Sequence, residues 1–394
     1  MTSHQNVPEA SPIIQSLSGS MIREVADAAM GRDNVLPFWF GETDRATPDF
    51  IRQAAVAGLG DGDTFYSQNL GRPYLREAIS RYLERQHKVE ISVNRIAAVS
   101  SGLMGLKLAS ELLLEPGDKV VAITPLWPNL IEIPKIRQAQ VERVPLVIQD
   151  NTWALDLDQL LSALTPDTRA LIINSPNNPT GWTIDEKSLI KVLEHCRQRG
   201  IWIISDDVYS RLVYDTHQTS APSFLEHAQP DDLIISVNSF SKAWCMTGWR
   251  VGWMVVPETL IKDLEKLIEY NFSCIFEPIQ KAAVTALEHG EQSINELRQR
   301  LVDSRRLLET QMKLLPGVEI PRAQGAMYLF FKIQGHEDSM QLAKKLVNEV
   351  GLGLAPGVAF GEEGEGWLRW CHAVSDDDTL LKGITRLKQF IANQ

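Results

Sequence analysis

Cysteine is scarce in this sequence. Four occur in 394 residues, at Cys196, Cys245, Cys274 and Cys371, and no two form a C-x-x-C pair. This excludes a thioredoxin-like motif and leaves a zinc cluster unsupported. So few cysteines suit a reducing compartment, and the cytoplasm is expected. Positive charge is also in deficit, with 39 Lys and Arg against 50 Asp and Glu, a net charge of −11. Nucleic acid and anionic membrane surfaces both call for basic patches, so neither is expected as a partner. No apolar run approaches membrane-spanning length. The start, MTSHQNVPEASP, lacks a charged n-region followed by an apolar h-region, so no signal peptide is expected. The eight histidines show no H-x-x-x-H or similar ligand spacing, and no metal site is expected. A nicotinamide dinucleotide fold is disfavoured because no G-x-G-x-x-G follows the early strand-like stretches. Internal repeats, low-complexity tracts and Gly/Ser linkers are absent as well.

What remains has ordinary globular composition, 44% apolar and 23% charged. The length corresponds to two or three domains' worth of chain. Short apolar, β-branched stretches at 95–100, 119–124, 169–174, 201–206, 232–238 and 249–256 read as strands. Helical patterns lie between several of them. One, DEKSLIKVLEHCRQRG (185–200), has an acidic start and a glycine stop. Near-continuous apolar strands separated by helices predict an α/β protein with a mainly parallel sheet covered on both faces. The tail differs: helices over 293–315 and 339–351 alternate with strands over 325–333 and 366–374. This predicts a smaller α+β unit, joined by the first ~45 residues, which carry little parallel-sheet character.

Polar or aromatic residues follow the central strands where a core does not need them: Ser101-Gly102, Trp127, Asn178, Asp206 and Lys242. Ligand sites in open α/β sheets gather at the carboxyl ends of strands, so these positions suggest one shared crevice. Turn-forming residues at strand ends are the plain alternative, but that explains the Lys and Trp poorly. Lys242 sits in SFSKAWCMTGWRVGW, a setting with little solvent-face character, and Schiff-base chemistry uses a lysine whose amine has lost its proton. Arg250, eight residues on, would help to depress that amine and could bind a phosphate. Asp206, in SDDVYSRLVYD, could hold a proton on a ligand's ring nitrogen, with Tyr209 one turn away to donate to a ring oxygen. Capping of the next segment is the alternative for Asp206-Asp207. INSPNNPTGW (173–182) reads as a rigid polar turn, with cis bonds possible at Pro176 or Pro179. VSSGLMG (99–105) offers backbone N–H groups to an anion at a helix start. Arg369, in the apolar LRWCHA, needs an anionic partner, either a ligand or a structural salt bridge.

NNPTG, then Asp206-x-x-Tyr209, then SFSKAWCMTGWRVGW, then LRWCHA, in this order and spacing, resembles the class I/II aminotransferases. These are pyridoxal-phosphate-dependent enzymes of fold type I, like aspartate aminotransferase. The resemblance runs from GETD (41–44) to Arg369. It implies a large domain with a mostly parallel seven-stranded sheet sandwiched by helices, over 46–285. A smaller α+β domain comes from both chain ends, 1–45 and 286–394. A homodimer with shared active sites is implied too.

By the same resemblance, Lys242 makes the Schiff-base link to pyridoxal 5′-phosphate and later shuttles the proton. Asp206 pairs with the pyridine nitrogen, and Asn178 and Tyr209 contact the ring hydroxyl. Ser101, Gly102, Ser239 and Arg250 hold the phosphate, beside Leu103. Trp127 stacks on the ring, and Tyr66, in YSQNLGRPYLR, reaches the neighbouring subunit's phosphate. Arg369 grips the substrate α-carboxylate, with Gly41 and Asn178 also on the substrate side. Leu103 stands where one bacterial aspartate-transaminase subgroup has Lys for a side-chain carboxylate, so that route to a second carboxylate is not expected. Phe38, Trp39 and Phe40 beside Gly41 suggest an apolar or aromatic substrate side chain, unless they simply pack the domain junction. The implied activity is transfer of an amino group between an α-amino acid and a 2-oxo acid. A C–S lyase or aminocyclopropane-carboxylate-synthase-like elimination is the nearest rival. A cofactor-binding regulator would need a DNA-binding segment ahead of GETD, and the ~40 non-basic residues there are too few for one.

Overall fold

The computed structural model describes residues 9–393. Its centre is a seven-stranded sheet of β1 (Ile96–Val99), β2 (Lys119–Thr124), β3 (Gln140–Pro145), β4 (Thr168–Asn174), β5 (Trp202–Asp206), β6 (Ile234–Ser239) and β7 (Gly252–Val255). The strand order is β1-β7-β6-β5-β4-β2-β3. Only β7 runs antiparallel to its neighbours, and every other pairing in this sheet is parallel.

Alternation along the buried strands explains why both faces are covered. In β4, Ala170 and Ile172 pack with Leu106, Ala109 and Leu113 of the helix Gly102–Leu113. Leu171 and Ile173 pack on the other face with Leu189 and Val192 of the helix Glu186–Arg199. Each fully buried side chain of this kind stabilises the fold by roughly 1.5–3 kcal/mol. The second helix starts and stops where its sequence says. Asp185 accepts from the Ser188 N–H, and Gly200 ends it with a left-handed φ of 66°.

Two strands differ from the sequence reading. The stretch 249–256 is not strand throughout. Thr247–Trp249 form a 3-10 turn, Arg250 takes a left-handed φ of 53°, and β7 begins at Gly252. The twelve residues between β6 and β7 form turns and the 3-10 segment Thr247–Trp249 in place of a crossover helix, and the chain returns antiparallel. β3 escapes the apolar-run criterion because it is the edge strand. Its sequence, QVERVP, exposes Gln140 and Glu142.

The second sheet is antiparallel, in the order Val318–Glu319, Tyr328–Ile333, Trp367–Cys371, Ala355–Pro356. The helices Glu291–Met312, Ser339–Val350 and Asp377–Ala392 accompany it. The N-terminal segment meets this part of the chain. Leu36–Pro37 pairs in parallel with Leu352–Gly353, and Glu24 pairs with Lys344 at 2.6 Å. Among the described residues no helix is long and apolar enough to cross a membrane.

Candidate active site

Strand register assembles the site. Asn174 and Asp206 are partners across β4 and β5. Ser239 faces Gly252 across β6 and β7, and Gly252 faces Val99 across β7 and β1. The carboxyl ends of the parallel strands and the start of the one antiparallel strand thus share an edge, which is where ligands bind in open α/β sheets. A cleft of about 470 Å³ opens there. Arg23, Lys242, Arg250 and Arg369 line it, and among the described residues Asp206 is its one acidic wall residue. A chain with net charge −11 has therefore concentrated cations at this place.

Lys242 follows β6. Its Nζ donates to the Gly41 carbonyl oxygen at 2.5 Å and lies 5.8 Å from the centre of the Tyr209 ring. Burial pushes the amine down to about 8; Arg369 and Arg250 push the same way, while Cys371 and Glu42 oppose. Gly41 is required on packing grounds: a Cβ there would collide with the Tyr328 hydroxyl.

Asp206 ends β5 and is buried. Burial, then the neighbouring charge of Asp207, raises its carboxyl to about 7. Its side chain accepts from the Val208 N–H at 3.3 Å, a long bond that leaves acceptor capacity toward the cleft. Asp207 is served instead by the Ser205 and Ser236 hydroxyls, at 2.6 and 2.5 Å. Asn174 ties two loops together. Its Nδ2 donates to the Asp206 carbonyl at 3.0 Å, and its Oδ1 accepts from the Asn178 N–H at 2.8 Å. Beyond it, the NNPTG turn closes through Gly181, whose φ is 69° and whose Cβ would meet the Gly325 carbonyl oxygen at 2.7 Å. Both Pro176 and Pro179 follow cis bonds, as does Pro125.

Arg369 lies in the middle of Trp367–Cys371, paired with Phe330 on one side and Ala355 on the other. It is 2% exposed, yet among the described residues it has no carboxylate partner. Its guanidinium donates to Asn178 Oδ1 at 2.8 Å and to the Trp39 carbonyl, and Nε has no partner. The Tyr328 and Phe360 rings flank it, with centres 4.4 and 4.8 Å from Cζ. A buried cation held only by neutral groups is costly until an anion arrives. The salt-bridge alternative for Arg369 is thus not realised. Tyr209 reaches into the same space, and its hydroxyl pairs with that of Tyr328 at 2.6 Å.

The far end of the cleft is built of amides and hydroxyls. Ser101 precedes the helix Gly102–Leu113 with a φ of 111°, and its hydroxyl accepts from the Met104 N–H at 3.2 Å. Among the described residues the Gly102 and Leu103 N–H groups have no protein acceptor, as expected of a helix's first turn. Ser239 and Ser241 share a hydroxyl bond at 2.9 Å, and Arg250 donates to the Thr247 carbonyl at 2.7 Å. Arg250, which lines the cleft, and Ser101, which caps the helix beside it, both carry positive φ values, 53° and 111°.

The cleft gathers Gly41, Gly102, Leu103, Trp127, Asn178, Asp206, Tyr209, Ser239, Lys242, Arg250 and Arg369, all singled out from the sequence. Ser101 stands just behind the wall, occupied as a helix cap. Tyr66 does not reach this chain's cleft and is 89% exposed. Of the three aromatics before Gly41, only Phe40 lines the cleft. Phe38 is buried 4.8 Å from the Trp370 ring, and Trp39 packs against Gly353, so these two fill the junction. Sequence reasoning missed Asn174, Tyr328 and Arg23. Asn174 ends an apolar strand two residues before Pro176, and that was a usable signal.

The family profile for aminotransferase class I and II matches residues 34–387. The aspartate aminotransferase of Pyrococcus horikoshii is 32% identical over 378 residues, 95% of each chain. The aromatic-amino-acid aminotransferase 2 of Thermococcus litoralis is 30% identical over 370 residues, 92% of this chain and 93% of that one. The solved alanine aminotransferase of Pyrococcus furiosus superposes with a TM-score of 0.91 at 25% identity, covering 98% of this chain and all of that one. The chain belongs to the class I and II aminotransferases: it is a pyridoxal-phosphate-dependent transaminase of the α/β type, passing amino groups between amino acids and oxo acids.

Proposed function

We propose that this cleft holds pyridoxal phosphate with its phosphate at the first turn of Gly102–Leu113 and its ring against Asp206. The observation that carries the reading is the buried Arg369 and the part-buried Lys242 in one cleft, with no ion pair for either among the described residues. The fit is supported at the phosphate end by the acceptor-free amides of Gly102 and Leu103. It is supported there also by Gly252, whose Cβ would lie 2.9 Å from the Gly102 nitrogen and deny β7 that approach. Ser239 and Arg250 complete the anion cradle, with Ser101 fixing the helix start. At the ring end, a buried carboxyl raised to about 7 becomes a stable carboxylate beside a cationic ring N–H.

The cofactor supplies an electron sink for the pair left at Cα when a proton is removed there. Asp206 would hold the proton on the ring nitrogen, Tyr209 and Asn178 would serve the ring hydroxyl, and Trp127 would cover the ring. Lys242 would hold the cofactor, and its amine, lowered to about 8 in the cofactor-free protein, is the base placed to move the Cα proton. Arg369 fixes the α-carboxylate through its planar fork, which sets the Cα–H bond toward that amine.

The names of the relatives differ in substrate, so preference is read from the wall. Ile22, Phe40 and Leu103 line the cleft and favour an apolar or aromatic side chain on the amino donor. Single-turnover cofactor spectroscopy over twenty amino acids tests this. Phe or Met should react faster than Asp, and a clear Asp preference would overturn it.

A homodimer belongs to the same reading. Phe65, Tyr66 and Tyr270 are 82%, 89% and 86% exposed. Their segments touch through Asn69 and Glu269, at 2.5 Å. Exposed aromatics gathered in this way mark an interface, and Tyr66 would then complete the partner's phosphate cradle. Sedimentation should give twice the 44.2 kDa chain mass, and a monomer would refute it. Domain limits of 46–285 for the large unit, with 1–45 and 286–394 in the small one, accompany this proposal. So does a reducing, cytoplasmic setting for four free cysteines.

A further inference from the structure

Four cations line the cleft, and the reading above gives three of them a partner. Arg250 takes the phosphate, Lys242 the cofactor's carbonyl carbon and Arg369 the α-carboxylate. Arg23 is left over. It lies on the helix Met21–Ala28, which Ser20 caps by accepting from the Arg23 N–H at 3.3 Å. Ile22 and Val25 turn inward on that helix, which sets Arg23 to the side, at the cleft wall. Its guanidinium stands 5.9 Å from the centre of the Phe40 ring, and Phe40 is joined directly to the glycine that receives Lys242.

Among the described residues Arg23 makes no ion pair and its guanidinium makes no hydrogen bond. The acids near it on its own helix do not serve it. Glu24 pairs with Lys344 at 2.6 Å, and Asp27, one turn on, forms no salt bridge. Among the described residues the one acid within the cleft is Asp206, committed to the ring end. A cation held over a ring at a cleft mouth, with its donors unspent, suits an incoming carboxylate.

We infer that Arg23 reads the distal carboxylate of a dicarboxylic 2-oxo acid, so that one cleft accepts an apolar amino donor and an acidic oxo acceptor. The inference rests on the reading in which Arg369 holds the α-carboxylate. The two carboxylates of the acceptor then bridge from Arg369 at the floor to Arg23 at the mouth, and the apolar donor leaves Arg23 in solvent above Phe40. A charged hydrogen bond of this kind corresponds to about 10- to 100-fold in kcat/KM.

The test compares 2-oxoglutarate with 4-methyl-2-oxopentanoate as amino acceptor in the holoenzyme and in Arg23→Met, Arg23→Lys and Arg369→Met. The ratio of the two kcat/KM values should fall about 10- to 100-fold in Arg23→Met and by less in Arg23→Lys. General damage to the fold would lower both acceptors together and leave the ratio in place. An unchanged ratio in Arg23→Met overturns the proposal. Arg369→Met should depress both acceptors alike. If it spares both while Arg23→Met still moves the ratio, the assignment of Arg369 fails and that of Arg23 stands.

Discussion

The amine of Lys242 donates to the carbonyl oxygen of Gly41, 2.5 Å away, across 201 positions of sequence. The bond joins the loop after β6 to the segment that enters from the N-terminal side. It also leaves a buried amine with a neutral acceptor in place of a carboxylate. Burial, helped by the charges of Arg369 and Arg250, lowers the amine to about 8 from 10.5. In the cofactor-free protein, borohydride trapping of added pyridoxal phosphate should rise with pH through a midpoint near 8. A rate still climbing at pH 10 would mean a solvated lysine. Between pH 8 and 10.5 the native state holds fewer protons than the unfolded one, so this group's contribution to stability grows with pH. Lys242→Met should remove that growth from urea titrations.

Asp206 should behave in the opposite sense. Its carboxyl ionises near 3.8 when unfolded and near 7 when native and cofactor-free, so between these values the native state holds more protons. Its contribution to stability therefore falls as pH rises from about 4 to 7. Asp206→Asn should flatten that decline and lower kcat/KM by about 100-fold or more, since the ring nitrogen loses its counter-charge. Wild-type turnover in this variant would separate Asp206 from the chemistry.

Arg369→Lys keeps the charge and loses the planar fork. Michaelis constants for amino and oxo acids should rise on the order of 10-fold or more, with cofactor binding unaltered. Weaker cofactor binding at unchanged Michaelis constants would place Arg369 at the wrong end of the cleft.

How much of this was visible in the chain depends on where each residue sits. Lys242, Asp206 and Asn178 stood out because each follows an apolar strand, where a core has no use for them. Arg369 stood out for the reverse reason, a charge inside an apolar strand. Tyr328 did not, since one more aromatic in GAMYLFFKI reads as packing; only the fold brings its hydroxyl to Tyr209. Arg23 was hidden because a helix of eight residues shows nothing of what its side face will meet. The parallel sheet was legible from its buried strands, but β3 was masked by edge charges. The antiparallel direction of β7 comes from a connection with no crossover helix, which an apolar pattern does not report.

Tyr328→Phe probes the contact that sequence could not reveal. It removes the hydroxyl paired with Tyr209 at 2.6 Å and leaves a buried group with one partner fewer. Stability should drop by about 1 kcal/mol in urea unfolding. No change would mean that Tyr209 finds another partner.

The central claim is that Lys242 carries the cofactor within a cleft that the fold has already assembled. Absorbance of purified protein titrated with pyridoxal phosphate tests it most directly. Wild-type protein should develop a lysine-bound cofactor band that each competent amino acid then shifts. Lys242→Ala should bind the cofactor without forming that band. A Lys242→Ala protein with the wild-type band, or a wild-type protein with none, would contradict the account.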